Sequence, residues 1–330
     1  MAVQDCSTAN STPDHFVDIN KMVTELQLER SKFTSALRAP NTESGYRYDT
    51  AAFRVWTAQM GFQALPCSPD TLGLYVTSML VRGLKVSTCG RRVAAVSHMH
   101  KANGFPSPAN DEVRDVLHGA RRLRVEQVDQ VLPLAIEELR AISAVLMADD
   151  TAKSVRDLAI ILTGFSAALR NSSTAALLLE DVEFSERGAV LKIRKSKTDQ
   201  QGRRGQLIAV PFGKHPGTCP VKNLENWIRR RGTFPGPLFT RFDGHPPRDR
   251  ALLPERIGQL VQESINKIGK DFRLYGGHSL RAGFVTEAGM SGASDLDIAA
   301  TTGHRDMSTL RKYFRRRDAW NRNVTGLLDL

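Results

Sequence analysis

The stretch "AVLKIRKSKTDQQGRRGQLIAVPF", residues 189–212, decides how the second half of the chain is read. "AVLKIRKSK" and "GQLIAVPF" are short runs, apolar or alternating, and "TDQQGRRG" between them is polar and carries glycine. An alternation of period two bounded by turn residues is the mark of paired strands. "LLLEDVEF" (177–184) precedes them across "SERG", so the expectation is a small three-stranded antiparallel sheet. The segments on either side read as helix. "AIEELRAISAVLMADD" and "TAKSVRDLAIILTGFSAAL" come before, "CPVKNLENWIRRRG" and "LPERIGQLVQESINKIGK" after, and several short helices run from Tyr275 to the end. The expected architecture is a mainly helical α+β unit over 134–330.

Upstream the pattern is helical throughout. "NTESGYRYDTAAFRVWTAQMGF" puts Tyr46, Phe53 and Trp56 on one stripe and ends at Gly61. "SPDTLGLYVTSMLVRG" opens on a Ser/Asp cap and closes at Gly83. "KVSTCGRRVAAVSHMHKANGF" gathers Val93, Val96 and His100 on one face, away from Arg91, Arg92 and Lys101, and "NDEVRDVLHGARRLR" is a short last helix. Residues 21–124 therefore form an all-helical bundle with a basic side. Between the two halves, 125–133 is polar, punctuated by valine and closed by Pro133, and reads as an exposed linker. Residues 1–20, with neither a basic start nor an apolar run, read as a flexible leader rather than a secretory signal.

Composition sets the class of partner. The chain has 330 residues, 46 basic against 35 acidic, for a net charge of +11. Its pI is about 9.7 and its mean hydropathy −0.30. A basic excess of this size points to a polyanion, with duplex nucleic acid the default, and no run is long enough to cross a bilayer. Cys6, Cys67, Cys89 and Cys219 are scattered with no C-x-x-C pair, which argues against a zinc ribbon or a disulfide framework and for a reduced, intracellular setting. His98–x–His100 and His215 near Cys219 read as incidental, so no metal site is expected.

Chemistry concentrates in the second half, in "ALRNSS" with Arg170, "RKSKTD" with Lys197, "GGHSLRAG" with His278 and Arg281, and "TGHRDMSTLRKYF" with His304 and Tyr313. Each has an ordinary reading. Arg170 can cap a helix, Lys197 can be a solvated turn residue, and Ser279 can be an N-cap. Gly303 can be a C-cap, and Tyr313, three residues after Leu310, can be core packing. Together they suit phosphoryl transfer. A tyrosine phenol gives a stable phosphoester. The two guanidiniums of Arg170 and Arg281 match the charge spread over the phosphoryl oxygens. A lysine can protonate a leaving sugar oxygen, and histidines complete the donor set. His278 and Arg281, three apart, can project from one helical turn.

These residues, in this order, resemble the tyrosine recombinases, or phage integrases. The pattern is an arginine after a long catalytic-domain helix, a lysine on a β-hairpin, H-x-x-R, then G-H, then a tyrosine nine residues on. "NTESGYRYDTAAFRVW" and "VSTCGRRVAAVSHMHKANGFPSP" resemble that family's helical core-binding domain, and the likeness spans about residues 30 to 330. The resemblance implies a SAM-like helical core DNA-binding domain over 21–124. It also implies a catalytic domain of the DNA breaking-rejoining type over 134–330, the two clamping duplex DNA. It implies a Cre-like site-specific recombinase in which Tyr313 forms a 3′-phosphotyrosine without ATP, metal or other cofactor. Its implied partner is duplex DNA with an inverted-repeat site, bound by a dimer on one site and a homotetramer on two. The setting is cytoplasmic, with the nucleoid of a bacterium or a phage host.

The apolar tail, Val324, Leu327, Leu328 and Leu330, either docks on a neighbouring protomer or folds back on its own domain. One position departs from the pattern: Ser173 stands where the family often has an acidic residue that supports the site. For reading DNA sequence, the candidates are Lys85, Thr88, Arg91 and Arg92 on one helix and Arg256 and Gln259 on another; the alternative for each is a phosphate contact or a solvated face. Three other functions stand beside the recombinase: a catalytically weakened DNA-binding member of the same fold, a telomere resolvase or type IB topoisomerase-like enzyme, and an ordinary helical transcription factor.

Overall fold

A computed structural model describes residues 19–35, 40–124, 131–194, 205–242 and 250–303. The chain divides into two compact units, Met1–Val128 and Asp129–Leu330. The first is helical: α1 (Ile19–Ser35), α2 (Pro40–Met60), α3 (Pro69–Val81), α4 (Val86–Ala102) and α5 (Asp111–Leu123).

Local chemistry sets the ends of these helices. The Ser68 hydroxyl accepts the Thr71 amide at 3.1 Å and Pro69 follows it, fixing the start of α3. Asn110 caps α5 through the Val113 amide at 3.1 Å, with Asp111 and Glu112 in the first turn and Arg121 and Arg122 in the last, complementing the helix dipole. The expected stripe on α2 faces inward: Phe53 is fully buried with its ring 5.0 Å from that of Tyr75, and the Trp56 ring lies 5.1 Å from the same Tyr75 ring. Val93, Val96 and His100 on α4 are likewise buried. His100 is part of the framework: its Nε2 accepts the Cys67 amide at 2.9 Å while Nδ1 donates to the Val96 carbonyl at 2.9 Å.

The second unit is built around α7 (Ala152–Ser166), in which every residue from Ser154 to Phe165 is buried. A helix buried all round belongs at the centre of a domain. It packs against α6 (Ile136–Asp149), α9 (Pro220–Arg231) and α11 (His278–Met290); α8 (Asn171–Ala175), α10 (Pro254–Lys267) and α12 (Asp295–Thr302) complete the helices among the described residues. The expected sheet is present, with β1 (Val182–Ser185), β2 (Gly188–Ile193) and β3 (Gln206–Pro211) in the order β1-β2-β3, all antiparallel. Leu191 faces Ile208 and Ala189 faces Val210, and these four are buried, while Leu207 and Ala209, which alternate with them on β3, are exposed, as a sheet with one covered face requires.

Two expectations meet a different arrangement. The described end of the 125–133 linker is tied into the second unit rather than loose: the Leu132 amide donates to the Leu274 carbonyl at 2.8 Å, and just beyond it Leu134 donates to Ser279 at 3.0 Å with its side chain fully buried. Ser279 is not a cap. α11 starts one residue earlier, at His278, with Gly277 at the N-cap, and the Ser279 hydroxyl accepts the Gly276 amide at 3.0 Å. Residues 1–18 of the leader, 125–130 of the linker and the tail after 303 lie outside the described residues.

Candidate active site

Arg281 is the centre of the site. It lies one turn into α11, where the helix runs against α7, and it is 3% exposed. Its Nη1 donates to the Ala168 carbonyl and its Nη2 to the Thr302 carbonyl, each at 2.7 Å. Ala168 stands two residues before Arg170, and Thr302 two residues before His304. One guanidinium therefore draws together three segments that are far apart in sequence. Both carbonyls are neutral, so they orient the cation without cancelling its charge.

The Arg170 segment is shaped by the chain that leaves α7. Ala168 adopts a left-handed conformation with φ 48°, unusual for a residue with a Cβ. That turn ends α7 and presents the Ala168 carbonyl to Arg281. Arg170 then takes the N-cap position of the short α8, with extended φ and ψ, and is half-buried. Its neighbour Asn171 packs against Gly277: a Cβ on Gly277 would lie 1.9 Å from Asn171 Nδ2. Only glycine at 277 lets the turn carrying Arg170 approach the start of the helix carrying His278 and Arg281. Gly277→Ala is accordingly expected to lower the melting temperature, at a cost of about 1–3 kcal/mol. Asn171→Ala in the same chain should restore it. Calorimetry of the single and double variants checks this, and additive losses would show that the two positions do not meet.

The hairpin is held from the other side. β2 and β3 end on the pair Ile193↔Gln206, and the connection between them, 194–205, bears Lys197. Gln206 Nε2 donates to the carbonyls of Ala300 at 3.1 Å and Thr301 at 3.2 Å, capping the last turn of α12. The helix stops at Gly303, whose φ of 67° is the left-handed C-cap expected of a glycine before His304. At the other end of the connection, Arg194 Nε is paired at 2.6 Å with the buried carboxylate of Asp181.

The entry to α11 is fixed by a buried carboxylate. Glu138 on α6 accepts the Tyr275 phenol at 2.6 Å, the Lys270 ammonium at 2.5 Å and the Ala135 amide at 2.9 Å. Burial alone would raise the Glu138 pKa, but these donors outweigh it and hold it below the usual carboxylate value. Burial, then the hydrogen bond and charge of Glu138, push the Tyr275 phenol up to about 12.

Of the six residues expected to do chemistry, Arg170, His278 and Arg281 lie on contacting segments, with His278 exposed at the helix start and Arg281 buried behind it. Lys197, His304 and Tyr313 lie outside the described residues; the chain on both sides of Lys197 and immediately before His304 reaches the same neighbourhood. The residues expected to read bases sit as follows. Lys85 precedes α4 at its N-cap, and Thr88 is on its first turn. Arg91 pairs at 2.5 Å with Asp49, a fully buried carboxylate on α2, and Arg92 lies 3.5 Å from the same group and donates to the Tyr75 hydroxyl at 3.2 Å. Arg256 is engaged by both oxygens of Glu263, at 2.6 and 2.8 Å, and by Gln259 at 3.0 Å. Ser173 is buried on α8. Reading the sequence alone missed Asn171, Gln206 and Asp49, whose partners lie far along the chain; the only local signal was a polar residue beside a glycine or an arginine.

Comparison with known proteins gives a consistent result. The model of the phage integrase family matches residues 134–319. An integrase/recombinase XerD homolog from Selenomonas ruminantium is 30% identical over 306 residues, covering 91% of this chain and 88% of that protein. Tyrosine recombinase XerD of Caulobacter vibrioides is 24% identical, covering 83% and 86%. Among solved structures, XerH site-specific recombinase bound to a palindromic difH substrate shares the fold with a TM-score of 0.57 at 16% identity, over 77% of this chain and 71% of that one. A lambda integrase dimer bound to a core site gives 0.56 at 14% identity, over 87% and 93%.

Proposed function

The chain belongs to the phage integrase family, the tyrosine recombinases, and from that premise we propose that it cuts and rejoins duplex DNA through a 3′-phosphotyrosine on Tyr313. In this reading the Tyr313 oxygen attacks the scissile phosphorus as the bond to the 5′ oxygen breaks. The phenol proton passes to a histidine, and Lys197 protonates the departing 5′ oxygen. Arg170 and Arg281 hold the non-bridging oxygens, on which negative charge gathers. The phosphoester keeps the energy of the broken bond, so a 5′-hydroxyl of a partner strand can reverse the step without ATP. Two protomers occupy one inverted-repeat site and four join two sites.

The observation that carries this reading is the pair of bonds from Arg281 to Ala168 and Thr302, which gathers the flanks of Arg170 and His304 around one buried cation. The first step of a test is to select bound sequences from a genomic DNA library. The selected site, carrying a nick near the cleavage point, is then incubated with the protein and run under denaturing conditions. A covalent protein–DNA adduct is expected. Binding without any adduct would favour a non-catalytic DNA-binding member of the fold, the alternative that Ser173 raises.

A further inference from the structure

Two clefts on the second unit share a wall and lead away from Arg170. The first, about 580 Å³, runs from Ser172 and Ala175 on α8 to Arg241, Arg250 and Pro254; the second, about 280 Å³, continues past Arg241 to Lys153, Arg156 and Arg256. The cations of the second cleft are already engaged. Arg156 is buried, donates to Asp157 at 2.6 and 2.9 Å and to the Thr240 carbonyl at 2.8 Å, and lies over the Phe242 ring at 4.7 Å. Lys153 pairs with Asp157 at 3.0 Å, and Arg256 with Glu263.

Arg241 differs. Its Nε donates to the Ala251 carbonyl at 3.1 Å, and its amide donates to the Arg250 carbonyl at 3.1 Å, so both its backbone and the plane of its guanidinium are fixed. Among the described residues nothing accepts from its two terminal amino groups. Arg156, by gripping the Thr240 carbonyl, holds the segment on which Arg241 stands. The result is a cation oriented in advance, with its two-pronged edge open where the two clefts meet and the exposed Ser172 hydroxyl lining the same wall. A planar fork of this kind suits the paired oxygens of a phosphodiester.

We propose that the Arg241 fork, beside the Ser172 hydroxyl, binds a backbone phosphate of the strand being cut, close to the scissile phosphate. The location follows from the chain: Ser172, which lines the same cleft, is two residues from Arg170, at most about 7 Å along the backbone. Arg241 is then a positioning residue, fixing the register of the DNA over the reacting group. The inference rests on the recombinase reading for its location, while its DNA contact is measured separately.

Full-length wild type, Arg241→Gln and Arg241→Lys are titrated onto a mixed-sequence duplex at several salt concentrations. Arg241→Gln is expected to lower the salt slope by about one, because one fewer phosphate is neutralised. Arg241→Lys should keep the slope but bind more weakly, since the charge remains and the fork is lost. On the selected nicked site, Arg241→Gln should form adduct about tenfold more slowly. An Arg241→Gln slope equal to wild type overturns the proposal, as does a loss of binding matched by a lowered melting temperature with the slope unchanged. Inorganic phosphate is the control: stabilisation of wild type by phosphate alone, lost in Arg241→Gln while the duplex slope stays the same, marks a free-anion site and also overturns it. Absence of adduct from wild type counts against the recombinase reading and leaves the slope comparison to decide this one.

Discussion

Tyr313→Phe is expected to form no covalent adduct with the nicked site while binding it with nearly unchanged affinity. The substitution removes one oxygen and keeps the ring, so packing is preserved and only the nucleophile is lost. Losing the nucleophile of a covalent mechanism costs roughly 10⁴-fold or more in rate. The chain has five tyrosines, Tyr46, Tyr48, Tyr75, Tyr275 and Tyr313, and the first three lie in the other unit. Tyr275, the other tyrosine of this unit, is buried, donates a hydrogen bond to Glu138 and has its pKa pushed up to about 12, which makes it a poor nucleophile near neutral pH. An adduct that survived in Tyr313→Phe would require a different nucleophile and would sink the assignment. Peptide mapping of the wild-type adduct gives the same answer from the other direction.

The second large effect is expected at Arg281. Arg281→Ala should slow adduct formation by about 10³-fold, the scale on which loss of one oriented donor to a developing oxyanion is felt. Its structural share is visible as well. Removing the guanidinium leaves the Ala168 and Thr302 carbonyls without their donor, at about 1–3 kcal/mol each. A lower melting temperature should therefore accompany the loss. Arg281→Lys separates the two roles: an ammonium can reach one carbonyl and recover part of the stability, but it cannot hold both carbonyls and also face the phosphate, so adduct formation should stay low. DNA binding should fall far less than cleavage in both variants. Equal losses of binding and cleavage would make Arg281 a purely structural residue.

Much of the fold was readable from local pattern because its causes are local. The alternation in 189–212 and the Gly-bearing connection specify the hairpin before any partner is known, and Ser68, Asn110 and Gly303 mark helix ends by chemistry that acts within four residues. The candidate site was proposed from an ordered set of residue types, of which Arg170, His278 and Arg281 lie on contacting segments among the described residues. Its support was not readable. Asn171 matters because it meets Gly277, and Gln206 because it meets Ala300 and Thr301, contacts made across about a hundred residues of chain. The arginines of α4 looked like open surface charge, yet Arg91 and Arg92 are drawn to Asp49, a carboxylate one helix away. The end of the linker looked solvated because its composition is polar, and pairing of its backbone with Leu274 and Ser279 leaves no trace in side-chain type.

That last point reaches furthest at Arg281. Its two carbonyl acceptors belong to the main chain, and every amino acid offers the same carbonyl. A change of side chain at 168 or 302 that fits the buried space, and at 168 the left-handed bend, can therefore leave the guanidinium in its seat. Grafting the six reactive residue types onto another scaffold would fail for the mirror-image reason, because the alphabet would be copied and the bend at Ala168 left behind. What such a seat asks of the chain is a curve, and only those letters that can draw it will serve.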